Sequence, residues 1–151
     1  MIPAQNAKYL LSTPPAALVD NASLTVTEID TLGWEYAEVI VLIGATDIAM
    51  TALTVTESDT AGSGHANVTG LIYATSTNVD GDTSALPTAT DEDTMFGFQI
   101  DLKGRKRYLD LTATVGDGTN GGYYTVITRL SRAHEAPITM SAAGMNEILR
   151  V

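Results

Sequence analysis

The chain has 151 residues, 18 acidic against 8 basic, a net charge of −10, and 44% hydrophobic against 17% charged residues. This balance suits a folded chain that buries a core unaided, and it argues against a general nucleic-acid binder or a ligand of anionic membranes. There is no cysteine, which excludes disulfides, thiolate zinc sites and cysteine nucleophiles; no run nears the ~18–20 apolar residues of a membrane helix, and no secretory leader is visible.

Residues 1–16 read as an extended arm. Pro3, Pro14 and Pro15 oppose helix and leave Tyr9, Leu10 and Leu11 as an isolated apolar patch, either in a frayed terminus or in an arm laid on a neighbouring subunit. From Ala17 to Ile29, Leu18, Leu24 and Val26 interleave with Thr and predict one or two short strands. Thr31-Leu32-Gly33 is a turn. Trp34–Ile43 starts alternating and ends continuously apolar, the pattern of a strand covered on both faces. Ile48–Glu57 is a Thr-rich strand with Leu53 and Val55 on one side; Ser58–Asn67 is loop and Val68–Ala74 a short strand. Thr75–Thr94, with Asp80, Asp82, Asp91, Glu92 and Asp93, reads as a solvated outer loop.

From Met95 the period is two. Phe96, Phe98, Ile100 and Leu102 share one face of a first strand; Leu109, Leu111, Ala113 and Val115 share a face of a second; Tyr124, Val126, Thr128 and Leu130 do so in a third. Their connections are too short for a crossover helix, so an antiparallel meander is expected. The segment Ser141–Val151 predicts a short helix capped by Ser141, with Met145, Ile148 and Leu149 on one flank, that needs a surface to dock on. With seven or eight strands at roughly ten-residue spacing, the chain is expected to be all-β. The architecture is an antiparallel, jelly-roll-like β-sandwich in one domain over 1–151: arm 1–16, β body 17–135, tail 136–151.

Chemistry is sparse. His65 lies in a Gly-rich loop and His134 just past a strand, and no Gly-x-Ser-x-Gly elbow accompanies them. Asp80-Gly81-Asp82 lacks the rest of a calcium loop, and Asp91-Glu92-Asp93 is a solubilising charge run. Gly116–Gly122 is Gly-rich but lacks the Gly-Lys-Ser/Thr ending and a following helix, so it reads as a flexible loop. Lys103, Arg105, Lys106 and Arg107 place half of the basic residues in one turn. That turn is either a charged hairpin tip guarding an edge or a cationic knuckle for carboxylates, on a partner or on the chain's own acidic loop. Trp34, Tyr36, Tyr123 and Tyr124 suit core packing or interface anchoring. No catalytic residue, metal ligand or cofactor site is predicted.

The segments Ile29–Ala37, Val55–Asp59, Asp101–Leu109 and Leu130–Pro137, in this order, resemble small structural proteins of tailed bacteriophages, of the head decoration or cement type. The resemblance implies a β-sandwich on the outer surface of the capsid, made in the host bacterial cytoplasm, whose partner is the major capsid protein. It carries over no catalytic residues.

The expected function is therefore capsid cement, a non-enzymatic protein that stabilises the head by bridging capsomers. Dimers or trimers at symmetry axes would multiply its contacts. Its expected interface residues are Tyr9, Leu10, Leu11, Lys103, Arg105, Lys106, Arg107, Ile138, Met140, Met145, Ile148 and Leu149. Nucleic acid and membrane are not expected partners. The rival readings are another virion part, from tail or head completion, and a carbohydrate-binding module using Trp34 with Tyr36 or Tyr123.

Overall fold

The computed structural model describes residues 3–16, 18–24, 26–136 and 138–149. Among these described residues a 3-10 turn at Pro3–Asn6 is followed by nine strands. They are β1 (Ala7–Thr13), β2 (Ala22–Ser23), β3 (Ile29–Asp30), β4 (Trp34–Thr46), β5 (Met50–Ser58), β6 (Ala66–Ile72), β7 (Met95–Asp101), β8 (Tyr108–Val115) and β9 (Gly122–Ala133).

The pairing follows one rule. Strand β1 pairs with β9, β2 and β3 with β8, β4 with β7, and β5 with β6, all antiparallel. These are the rungs of one long hairpin whose tip lies between β5 and β6. Rolling that hairpin adds the contacts β4·β9 and β5·β8, which join the rungs into two sheets. Their orders are β1-β9-β4-β7 and β2-β8-β5-β6, with β3 beside β2 on the same edge of β8. This is jelly-roll topology: two antiparallel sheets packed as a β-sandwich.

The faces assigned to the last three strands hold. Phe98, Ile100, Leu109, Leu111, Ala113, Val115, Tyr124, Val126 and Leu130 are buried, and Phe96 and Leu102 pack against them half-buried. The expected meander does not hold, because β7 and β9 lie in one sheet and β8 in the other. Alternation reports which face is buried but not which strand lies alongside. Sheets stack about 10 Å apart, so a handful of extended residues crosses the gap as easily as it closes a hairpin. The turn at 102–107 is therefore a corner between sheets.

Two further expectations are corrected. The arm at 1–16 is not free: Ala7–Thr13 form the edge strand β1, because Leu10 and Ser12 face the core and the Ser12 hydroxyl bonds that of Thr128 at 2.8 Å. The tail is not a helix. Thr139 accepts from the Ala143 N–H and its hydroxyl from that of Ala142, and the turn stops at Gly144, whose φ is +73°. The tail runs along the outer edge of β1, where Tyr9 N–H donates to Ala143 C=O (2.9 Å) and Ile138 N–H to Gln5 C=O (3.0 Å). Met1, Ile2, Ala17, Thr25, Pro137, Arg150 and Val151, parts of the expected arm, body and tail, lie outside the described residues.

Strand β4 departs from expectation in an informative way. Ala37, Val39, Val41 and Ile43 are buried, but Ile40 and Leu42 on the other face are only half-buried. Its apolar run is thus not covered on both sides.

Candidate interaction surfaces

The cationic turn is engaged within the molecule. Arg107 grips Asp30 with both carboxylate oxygens, at 2.8 Å from Nε and 2.7 Å from Nη2, and lies 4.9 Å from the Tyr108 ring centroid. That guanidinium, helped by the Leu32 N–H, holds the Asp30 carboxyl below its ordinary range. Arg105 meets Glu57 at 3.5 Å and Lys106 meets Asp59 at 3.4 Å, while the Lys106 N–H donates to Glu57. The partners come from the β3 and β5 ends, not from the acidic loop at 80–93. Lys103 makes no ion pair among the described residues. These pairs thus tie the corner to the sheet that holds β3, β5 and β8.

The outer faces of the two sheets differ in chemistry. On the β5–β8 sheet the side chains turned away from the core include Thr112, exposed, Thr114 and Asp110, half-buried, and Thr54 and Thr56, which are buried, and the Ser23 hydroxyl bonds Thr114 at 3.2 Å. On the β1-β9-β4-β7 sheet, register places Leu11 beside Ile127, Ile127 beside Ile40, and Leu42 beside Met95. Tyr123 extends this apolar band over Gly44, whose missing side chain leaves room for it. Met95 is 69% exposed, Leu11 54% and Tyr123 47%. Along one side of the band runs a polar row, Tyr9–Arg129–Glu38–Gln99, in which Arg129 and Glu38 pair at 2.7 Å. An antiparallel sheet face that meets only water is normally polar. This one presents Leu, Ile, Met and Tyr in adjoining rows.

Of the residues expected at an interface, Leu11 lies in the band and Tyr9 in the polar row beside it, whereas Leu10 packs on the core. Met140 and Met145 are exposed beside the β1 edge, Leu149 is exposed further along, and Ile138 and Ile148 are half-buried. Tyr123, read as core packing or an interface anchor, lies exposed beside the band; Ile40, Leu42, Met95 and Ile127 were not foreseen. The signal was there: Tyr123 and Ile127 alternate with the buried Tyr124 and Val126.

The aromatic residues do not form one platform. Trp34 pairs opposite Ala133 and packs half-buried on the core, and Tyr36 lies under Arg132, 5.5 Å from its guanidinium. Tyr123 is at the far end of the same strand pair, about 30 Å away at strand rise.

One small polar cluster sits at the opposite end of the sheet edge. The Glu28 carboxylate accepts from the Gly62 N–H at 2.8 Å, which does most to lower its pKa, and from His65 Nε2 at 2.7 Å. His65 Nδ1 is buried and bonds nothing among the described residues. Nearby, burial pushes the Asp110 carboxyl above its ordinary value, against one hydrogen bond from the Leu111 N–H. A raised folded-state pKa means that folding favours the protonated acid, a contribution present below the unfolded pKa and lost as pH rises through the folded one. Asp110→Asn keeps the acceptor and removes the charge. It is expected to stabilise the protein by up to about 1 kcal/mol near pH 7, with the gain vanishing towards about pH 3, as read by urea unfolding at both.

The other sequence features are tied into loops. Asn78 Oδ1 accepts from the Asp80 and Asp82 N–H groups, and Asp117 accepts from those of Thr119 and Asn120. Asp91 accepts from the Thr88 N–H and hydroxyl, which lowers its pKa. His134 is exposed and anchors the chain end through its N–H to Gly33 C=O. Among the described residues no group of three or more His, Cys, Asp and Glu is placed to hold a metal ion.

A groove of about 530 Å³ separates the edge of β6 from that of β7, lined by Gly70, Tyr73, Asn78, Val79, Gly97 and Gln99 among others. Tyr73 closes its floor, edge-on to Phe96 and Phe98, and its hydroxyl donates to Gly97 C=O at 3.0 Å. Compared with known proteins, the chain matches no protein-family model and no curated sequence.

Proposed function

We propose that this protein is a capsid cement of a tailed bacteriophage, acting by adhesion rather than catalysis on the outer surface of the head. The observation that carries the reading is the apolar band Leu11–Ile127–Ile40–Leu42–Met95 on one outer face, opposite a face of threonines. A contiguous exposed apolar patch rimmed by polar residues marks a protein-binding surface. The jelly roll beneath it is a rigid platform of a kind used in viral shells, and the resemblance of the segments at 29–37, 55–59, 101–109 and 130–137 supplies the partner. With β1 and the tail engaged on their own body, adhesion falls to this face, helped by Met140 and Met145 at its β1 border.

The mechanism is linkage. A protein that binds only the expanded shell stabilises that state, and a lattice of repeated contacts multiplies a small gain per site. Purified protein added to undecorated expanded heads is expected to bind them and raise their melting temperature in calorimetry. Failure to bind any capsid form would end this reading. Copy number separates it from a tail or head-completion role, since cement is present in hundreds of copies per particle and a neck part in a dozen or fewer.

A further inference from the structure

The sandwich has four sheet edges, and three of them are blunted. The edge of β1 is covered by the tail through Tyr9 and Ala143. The edge beyond β8 consists of two strands of two residues each. Strand β6 is bulged, its register jumping between Thr54 and Thr56 of β5, with Gly70 at φ +90°. Short strands, bulges and covering segments are the devices by which sheets avoid adding strands. Strand β7 is neither short nor bulged, running seven residues in unbroken register with β4 without proline, and no backbone segment pairs with its edge among the described residues, where only the Tyr73 hydroxyl reaches it.

The outward backbone groups of β7 can be named. The Leu102 N–H donates to Glu35 C=O and the Ile43 N–H to Thr94 C=O. By alternation Phe96, Phe98 and Ile100 bond to β4, while Met95, Gly97, Gln99 and Asp101 turn their N–H and C=O groups outward. The Tyr73 hydroxyl on Gly97 C=O agrees with this parity and leaves that oxygen its second lone pair. Among the described residues no strand pairs with this edge.

Charge says which strand fits. Strand β7 is preceded by Asp91-Glu92-Asp93 and followed by Lys103, the cation of the corner that has no ion pair among the described residues. With carboxylates before it and Lys103 two residues past its last residue Asp101, an antiparallel copy can set each Lys103 against the other's acidic flank. We propose that two copies of this chain associate through β7, edge to edge about a two-fold axis at Phe98, into one continuous eight-stranded sheet. Gly97 then pairs with Gln99 of the second copy and Met95 with its Asp101, all outward-bonding residues. Lys103 of each copy lies beside the acidic flank of the other. Sliding the pairing so that Asp101 meets Asp93 sets like charges together, which fixes the direction of register.

The inference deepens the cement reading by naming the self-contact, yet it is tested without any capsid. Sedimentation equilibrium of the full chain at about 50 μM is expected to give twice the 15.9 kDa chain mass. Gln99→Pro removes an outward N–H and places a ring on the edge without touching a β4 bond, so more than about a hundredfold weakening is expected. Lys103→Glu, an exposed change that leaves the fold intact, is expected to weaken the dimer about tenfold through its two equivalent contacts. Adding Asp93→Asn, which suits the positive φ at that residue, should recover part of the loss. A wild-type monomer at that concentration overturns the proposal. So does a dimer indifferent to both Gln99→Pro and Lys103→Glu, and so does an edge that takes up a foreign extended peptide while the chain stays monomeric. A monomer that still decorates capsids sinks only the self-contact; a dimer that binds no capsid sinks only the cement reading.

Discussion

Ile127→Glu is expected to abolish capsid binding, with affinity falling more than a hundredfold while the fold survives. Ile127 stands at the centre of the outer apolar band, between Leu11 on β1 and Ile40 on β4, and is half-buried in the isolated chain. A carboxylate there remains wet in the free protein and sits two residues from Arg129, so the cost to folding is about 1 kcal/mol. Docking would strip its water and leave it unpaired against apolar surface, which costs several kcal/mol. The measurement is co-sedimentation with expanded heads, alongside a melting curve of the variant alone. Thr112→Glu, on the outer face of the other sheet, serves as the control and should leave binding unchanged. Equal loss in both variants, or none in Ile127→Glu, would remove the apolar face from the mechanism.

Gly116→Ala is expected to lower stability by about 3 kcal/mol and the melting temperature by roughly 10 °C. Gly116 leaves β8 at φ +92°, and a Cβ there would overlap the Asn21 backbone nitrogen and lie 2.6 Å from the Asp20 Cα. Both obstacles are main chain, part of the segment that leads into β2, so neither can swing aside. Gly118, two residues on, has nearly the same φ of +89° but only the Asn21 side-chain nitrogen at 3.8 Å. Gly118→Ala should therefore cost only about 1 kcal/mol, the conformational part alone. The difference between the two variants in urea unfolding isolates the backbone collision.

What the amino-acid order made legible was the buried face of each strand. Phe98 and Ile100, then Leu109, Leu111, Ala113 and Val115, then Tyr124, Val126, Thr128 and Leu130 all turn inward as their spacing requires. What it left open was who stands beside whom. Segments at 95–101, 108–115 and 122–133 follow one another in the chain, yet the middle one belongs to the other sheet. Nothing in a period of two separates a hairpin from a corner, because both need a few extended or turning residues. The N-terminal end differs for a related reason: three prolines at 1–16 oppose helix and fit an extended arm, but they do not say that Ala7–Thr13 pairs with its own body, with Leu10 and Ser12 turned inward.

The surface was harder to see than the core. Val39-Ile40-Val41-Leu42 is as apolar as a doubly covered strand, and only the register of β4 with β7 and β9 reveals Ile40 and Leu42 as exterior. The corner cations read as adhesive because their partners Asp30, Glu57 and Asp59 are distant in sequence and come together only through folding. Long-range pairing is where local pattern stops being informative.

Joining Ala7 to Ser131 has a kinetic consequence. Strand β1 must wait for β9, since among the described residues no other strand pairs with it and β4 is flanked on one side by β9. Closure of this sheet thus waits for β9, with most of the closure entropy met before the reward arrives, and refolding should take milliseconds to seconds rather than microseconds. Until β9 arrives, β4 stands with an open flank, and the nascent chain is then at its greatest hazard of aggregation.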